Sequence, residues 1–368
     1  MKKRIYLDNN ATTLVDPLVV DAMIRELSGP PHNPSSIHSF GQEAKKILSK
    51  SRKTIADFLD VKSSEILFTS SGTESMNLLI RGVKLDSKAH IIGSSIDHAC
   101  VYNTLQDLQK KGADITFLGD PSPLKVKQAI RPTTRLIVLS AVNSETGSKI
   151  DIEQIASIAQ EANIPLVLDS VASIGKEPIK IPYGVSGMGF SAHKFHGPKG
   201  VGFIFVRSGF PLSPIIIGGN QERKLRSGTE NIPGIVGTAT AITLLKNSVY
   251  IQLKTLRDLF ESKLKKALPS IEINGSLPRV SNTSNIYFPG VDGESLLIGL
   301  DMENIAASYA SACSSGALEP SRVLLEMGMS KERVSSSLRF SFSRMNTKEE
   351  VCEATQVIAA LVKKIRAI

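Results

Sequence analysis

Short apolar runs at residues 66–69, 90–94, 114–118, 135–142, 164–168, 188–190 and 201–206 are separated by helix-length or turn-rich segments. Strands that alternate with helices predict a mostly parallel sheet covered on both faces, whose ligands sit beyond the strand C-termini. Ahead of this region, Ile5-Tyr6-Leu7 reads as a short strand and DNNATT (8–13) as a polar loop, and Asp16 caps a helix with Pro17 at its first position. SGPPHNPSS (28–36) breaks regular structure and is expected to be a functional or oligomer-contacting loop. Phe40, Ala44, Ile47, Leu48, Ile55, Phe58 and Leu59 then fall close to one face of an amphipathic helix. Residues 232–266 read as long helical stretches linking two domains. Beyond them, strands near 271–274, 284–288 and 338–342 mix with helices near 294–302 and 349–366. This change of rhythm predicts a large α/β domain over 16–250 and a smaller α+β domain from 1–15 and 251–368. A chain of 368 residues exceeds the usual ceiling for one core, in keeping with that division.

Composition narrows the class without naming a chemistry. With 41% hydrophobic and 21% charged residues, the chain is ordinary for a soluble globular protein. No apolar run approaches the roughly 20 residues of a membrane span. The start, MKKRIYLDNN, has too few apolar residues for a signal peptide, so a cytoplasmic location is expected. Cys100, Cys313 and Cys352 are too few and too scattered for a disulfide framework or a zinc site; they read as reduced thiols, and no metal is expected. The net charge of +9 favours acidic partners in a general way. The basic residues are spread out, however, and direct nucleic-acid binding is not expected.

Candidate chemistry gathers where strands end. Lys194, in SAHKFHGPKG, follows the run 188–190 and precedes a Gly-Pro-Gly turn, which suits a partly desolvated amine nucleophile such as a Schiff-base lysine. The plain alternative is a solvated surface lysine; Lys199, inside the turn, is the competing amine and is expected to point outward. In FTSSGTESMN (68–77), the amides of Ser71, Gly72 and Thr73 at a helix start offer a phosphate seat, or simply an N-cap. His98 follows the next strand, where an imidazole can stack on a planar cofactor or shuttle protons. Asn143 ends the most apolar strand and Asp169 ends IPLVLD. A buried carboxylate at that point needs a cationic or hydrogen-bonding partner, and in a pyridoxal-phosphate enzyme the pyridinium nitrogen is that partner. GGNQERKLRSGTEN (218–231) reads as a mobile, charged loop whose Thr229 offers a hydroxyl, and Arg339 sits in an alternating strand where it can clamp a carboxylate. Cys313, among Ser, Ala and Gly, reads as an exposed thiol on a loop, whereas Cys100 and Cys352 fall in helical patterns as filler.

In this order the segments YLDNNATT, NPSSIHSFG, FTSSGTESMN, DHACV, NSETG, LDSVASIGK, SAHKFHGPKG, RSGTEN, SACSSGALEPS and SSLRFSFSR resemble, over nearly the whole chain, the cysteine desulfurases within the fold-type I pyridoxal-phosphate enzymes, the class V aminotransferase group. The resemblance implies that Lys194 holds the cofactor covalently, Asp169 pairs with its ring nitrogen and His98 stacks on the ring. It also implies that Gly72, Thr73, Ser191 and His193 bind the phosphate, joined by Thr229 of the partner subunit in a homodimer. Asn143 and Arg339 would meet the substrate carboxylate or the cofactor edge. Cys313 matches the nucleophilic cysteine, 26 residues before Arg339 as in the branch with a long cysteine loop. The implied activity converts L-cysteine to L-alanine and leaves a persulfide on Cys313 for an acceptor such as an iron-sulfur scaffold. One departure is Ala172, where the family usually has a glutamine that bonds the ring hydroxyl; Ser71, where a glycine is common, is a milder one. Selenocysteine lyase or aminotransfer chemistry would use the same lysine and aspartate, although aminotransfer needs no thiol. A degenerate homologue acting as a binding or scaffold protein is favoured by Ala172 alone.

Overall fold

The computed structural model describes residues 4–86, 88–309 and 320–367. They form two compact units, one made of Leu14–Ala141 and Ile150–Lys246, the other of the chain up to Thr13, Val142–Lys149 and the chain from Asn247 onward. The first unit is built on a seven-stranded sheet. Its strands run, in spatial order, Ile66–Thr69, Gly202–Val206, Val185–Ser191, Leu166–Asp169, Thr134–Ser140, His90–Ser94 and Asp114–Leu118. Every pairing is parallel except those made by Gly202–Val206, which runs antiparallel to both neighbours. This is the α/β architecture of the fold-type I transferases. The exception has a physical cause: Ser191 lies opposite Gly202, and the ten residues between them, 192–201, are too short for the crossover that a parallel pair requires. The chain therefore turns back at once, and that turn carries Lys194.

The Val185–Ser191 strand is longer than the apolar run 188–190 that announced it. Its hidden part contains Gly187, and the reason for glycine is space. A Cβ at Gly187 would stand 2.6 Å from Leu79 Cδ2, and one at Gly189 2.6 Å from Met76 Sδ. Helix Gly72–Arg81 lies that close to the strand. The core beneath it is apolar and aromatic, with Phe190 and Phe203 stacked at 4.7 Å between ring centroids.

Loop 218–231, expected to be mobile, is instead anchored. Glu222 is buried and takes a bidentate pair from Arg52 at 2.6 and 2.8 Å, while its Oε2 also accepts the Phe68 N–H at 2.9 Å. Arg52 in turn lies over the Phe68 ring at 4.7 Å. The sequence showed only charge here, because the partners of Glu222 are more than 150 residues away.

In the second unit, Glu272–Ile273, Thr283–Tyr287 and Ser337–Ser341 form an antiparallel sheet packed with helices Asn247–Ala267, Gly293–Met302 and Lys348–Arg366. Phe260 is its aromatic centre, 4.9 Å from Phe340 and 5.2 Å from Phe342. The helical stretch from 232 is two helices, Ile232–Thr243 in the first unit and Asn247–Ala267 in the second. No helix among the described residues is long and apolar enough to cross a membrane.

Removing one partner from a buried ion pair leaves the other charge uncompensated, at a cost of about 3–5 kcal/mol. We therefore expect Glu222→Ala to lower the urea midpoint markedly. Asp57→Ala, which breaks the exposed Lys53–Asp57 pair, should shift it by less than about 1 kcal/mol equivalent. Equal shifts would mean that the Glu222 anchor contributes nothing special.

Candidate active site

Asp169 and Lys194 stand at the carboxyl ends of adjacent parallel strands, with Asp169 in register with Gly189 on one side and Ser140 on the other. Asp169 is buried; its Oδ1 accepts the Val171 N–H at 3.0 Å, and its Oδ2 lies 3.8 Å from Cys100 Sγ. His98 is the N-cap of helix Ala99–Lys110. Its Nδ1 accepts the backbone N–H of Cys100 at 3.2 Å and lies 3.0 Å from the thiol sulfur. A nitrogen that accepts a backbone proton carries a lone pair, so the neutral ring has its hydrogen on Nε2. Cys100, assigned to filler from its helical pattern, thus touches two of the candidate residues. Its spacing two residues after His98 was the available signal.

Lys194 is half-buried at the end of the short turn Ala192–Lys194. Its carbonyl accepts a hydrogen bond at 3.0 Å from the Nζ of Lys176, a buried second lysine that sequence reasoning passed over. Lys199 is exposed, as its turn position suggested. His193 is half-buried, and its pKa falls from an ordinary 6.5 to about 4, first through desolvation and then through the positive charges of Lys194, Lys176 and Lys199. The imidazole is therefore neutral at physiological pH in a cationic surrounding that suits an anion.

The candidate anion seat begins at Ser71, whose side chain caps helix Gly72–Arg81 by accepting the Glu74 N–H at 3.1 Å. With φ −169 its backbone is extended, so glycine is not required and the serine in place of the family's glycine causes no strain. Gly72 is different. A Cβ there would meet Val171 Cγ2 at 2.7 Å and Ser191 Cβ at 3.4 Å, so the helix start is wedged between the Asp169 turn and the end of the Lys194 strand. The first-turn amides of Gly72 and Thr73 have no acceptor within their own helix and point their dipole beyond it. Arg226 pairs with Glu74 at 2.8 Å, offsetting the one acidic side chain of that turn and tying in the loop on which Thr229 is exposed.

In the second unit, Asn143 is buried, and its Oδ1 accepts the amides of Glu145 and Thr146, both at 3.0 Å. The oxygen is committed to this turn, so a ligand role falls to the Nδ2 side. Arg339, also buried, donates from Nη2 to Asp8 Oδ1 at 2.8 Å and from Nη1 to the Ser144 carbonyl at 3.2 Å. The carboxylate clamp already holds an internal carboxylate, which explains the aspartate of the opening DNNATT segment. The Arg339 Nε is buried without a hydrogen-bond partner among the described residues. Cys313 lies outside the described residues.

In the sheet unit, a half-buried lysine amine, a buried carboxylate, two imidazoles and helix-end amides make a donor set that fits a phosphorylated pyridine aldehyde. The buried hydroxyls of Ser140, Ser170 and Ser173, at or just after the strand ends, have no hydrogen-bond partner among the described residues and mark the same place as one that demands polar company. Ala172, between two of them, supplies none. A cavity of about 610 Å³ opens elsewhere, at the amino ends of the strands beside Arg131, Arg135 and Pro165, and holds none of the candidate residues.

Residues 5–353 match the family described as aminotransferase class-V. The chain is similar to the putative cysteine desulfurase IscS 1 of Bacillus subtilis, 41% identical over 383 residues that cover 99% of this chain and 100% of that protein. Among solved structures, a NifS-like protein superposes with a TM-score of 0.90 at 33% identity, covering 98% of this chain and 100% of its own. A protein described as SspA in complex with cysteine superposes at 0.83 with 32% identity, covering 94% of this chain and 100% of that one.

His193 gives a pH test. In the unfolded chain it takes a proton near 6.5, in the folded chain only near 4. Between these values the unfolded state binds more protons, so the stability contributed by this residue is complete above about pH 6.5 and is lost as pH falls toward 4. Thermal melts should show the parent losing stability more steeply than His193→Gln from about pH 7 to about pH 5. Parallel profiles would contradict a neutral, desolvated His193.

Proposed function

Because the chain belongs to the class V aminotransferase family, in the cysteine desulfurase branch of the fold-type I pyridoxal-phosphate enzymes, we propose that it takes sulfur from L-cysteine, releases L-alanine and carries the sulfur as a persulfide on Cys313. Family membership carries the general activity, pyridoxal-phosphate-dependent sulfur transfer from cysteine. The residue roles and the acceptor, a protein such as an iron-sulfur scaffold, are our reading. The observation that supports it best is the pairing of Asp169 and Lys194 at adjacent strand ends, with the start of helix Gly72–Arg81 wedged against both.

In this reading the amides of Gly72 and Thr73, with Ser191 and neutral His193, hold the phosphate, joined by Thr229 of the partner subunit in a homodimer. Asp169 faces the ring nitrogen, His98 lies over the ring, and Lys194 is the covalent tether. Bound there, pyridoxal phosphate supplies an electron sink for charge left on the substrate's α carbon. The Lys194 amine would accept the α proton. Asn143 and Arg339 orient the substrate carboxylate, with Asp8 holding the guanidinium in place. The Cys313 thiolate then forms an S–S bond with the substrate sulfur while the C–S bond breaks. The electron pair of that bond stays with carbon, which takes up a proton as the product becomes alanine.

Two variants separate the roles. Lys194→Ala should lose the visible absorption of covalently held cofactor, with turnover falling by on the order of 10²–10⁴ as expected for loss of a general base. Retention of a borohydride-reducible adduct would reassign the tether, to Lys199 first. Cys313→Ser should keep the absorption band and lose nearly all sulfide release from cysteine. Parent-like sulfide and alanine production by that variant would overturn the persulfide route.

A further inference from the structure

One nitrogen of His98, the sulfur of Cys100 and one carboxylate oxygen of Asp169 all lie within 4.8 Å of one another. Nδ1 stands 3.0 Å from the sulfur, and the sulfur 3.8 Å from Oδ2. Around tetrahedral zinc, with bonds of about 2.0–2.3 Å, neighbouring donors are about 3.5 Å apart, so small side-chain rotations suffice to close the triad on an ion. Nothing in the proposed sulfur transfer uses Cys100. The scattered cysteines argued against a zinc site in the sequence, but the fold adds the two non-sulfur donors, one of them from a strand 69 residues beyond Cys100.

We propose that, when the cofactor is absent, His98, Cys100 and Asp169 chelate a soft divalent cation of the zinc class. Two features favour it, while binding at His98 Nδ1 would exchange the Cys100 N–H for the ion at that nitrogen's single lone pair. Cys100 is the second residue of a twelve-residue helix, where the helix dipole supports a thiolate. The Asp169 carboxylate is held in orientation by the Val171 N–H, the kind of outer contact that prepares a metal ligand. Charge also balances: thiolate and carboxylate together match a 2+ ion, which relieves their mutual repulsion. On binding, the sulfur–hydrogen bond is replaced by a sulfur–metal bond and the proton goes to solvent, with no change of oxidation state. A three-donor set of this mixed kind leaves the fourth position to water. Because Asp169 and His98 also belong to the proposed cofactor cradle, cation and cofactor exclude each other. That consequence rests on the proposed function, whereas chelation itself does not.

Cobalt(II) is the probe, because a thiolate–cobalt bond has its own near-ultraviolet charge-transfer absorption. It is titrated into the full-length protein as purified with cofactor and after the cofactor has been stripped. The stripped protein should bind one ion with the charge-transfer band, release about one proton per ion, and give the ion up when pyridoxal phosphate is restored. The loaded protein should show no band. Cys100→Ala and the closely isosteric Cys100→Ser should each lose the band and bind at least about ten-fold more weakly. Cys313→Ser and Cys352→Ser should retain both. Absence of a thiolate band from the stripped protein, or its survival in both Cys100 variants, overturns the site. An equal band in the loaded protein overturns the exclusion. Failure of the protein to take up pyridoxal phosphate at all, with the cobalt results intact, would instead fell the proposed function.

Discussion

The candidate site depends on how closely helix Gly72–Arg81 approaches the strand that ends before Lys194. Gly187 and Gly189 set that distance, and Gly72 lets the helix start fit against Val171. At Gly72, Gly187 and Gly189 a Cβ would come within 2.6–2.7 Å of a neighbouring side-chain atom. Such contacts are far inside van der Waals range, and a close-packed interior has no slack to absorb them. With the glycines in place, the orphan amides of the helix start reach the level of the strand ends, where Asp169 and Lys194 already stand. A looser helix would carry the same residues and assemble nothing.

Around this junction the charges are arranged by sign. Desolvation first, and then the charges of Lys194, Lys176 and Lys199, keep His193 neutral, while Arg226 offsets the one acid in the first turn of the helix. The surroundings thus favour an anion without a full positive charge on the imidazole. In the second unit Arg339 shows a different economy, its fork divided between Asp8 and a backbone carbonyl with Nε left over.

Much of this was legible in the chain, and for a simple reason. Strands buried on both faces must be apolar, and residues that follow them are the polar ones that face a ligand. Asp169, Lys194 and the cap at Ser71 could therefore be read directly. What escaped reading was long-range or negative. Gly187 hid half of the Lys194 strand because a missing side chain carries no hydrophobic signal. Glu222 looked like part of a mobile loop because its partners, Arg52 and Phe68, lie far away in sequence. Lys176 and Cys100 each sat in an unremarkable local pattern, and only the fold shows one at the carbonyl of Lys194 and the other beside Asp169.

The antiparallel return of Gly202–Val206 also bears on how the protein assembles. Ser191 and Gly202 face each other across a ten-residue connection, whereas Ser140 and Asp169 become neighbours only after the chain has passed through Val142–Lys149, part of the other unit. Closing the short loop costs less chain entropy than closing the long one. The lysine end of the site thus closes through the shortest loop, and the carboxylate end, whose Asp169 meets Gly189 of the strand leading to Lys194, joins it through a longer one.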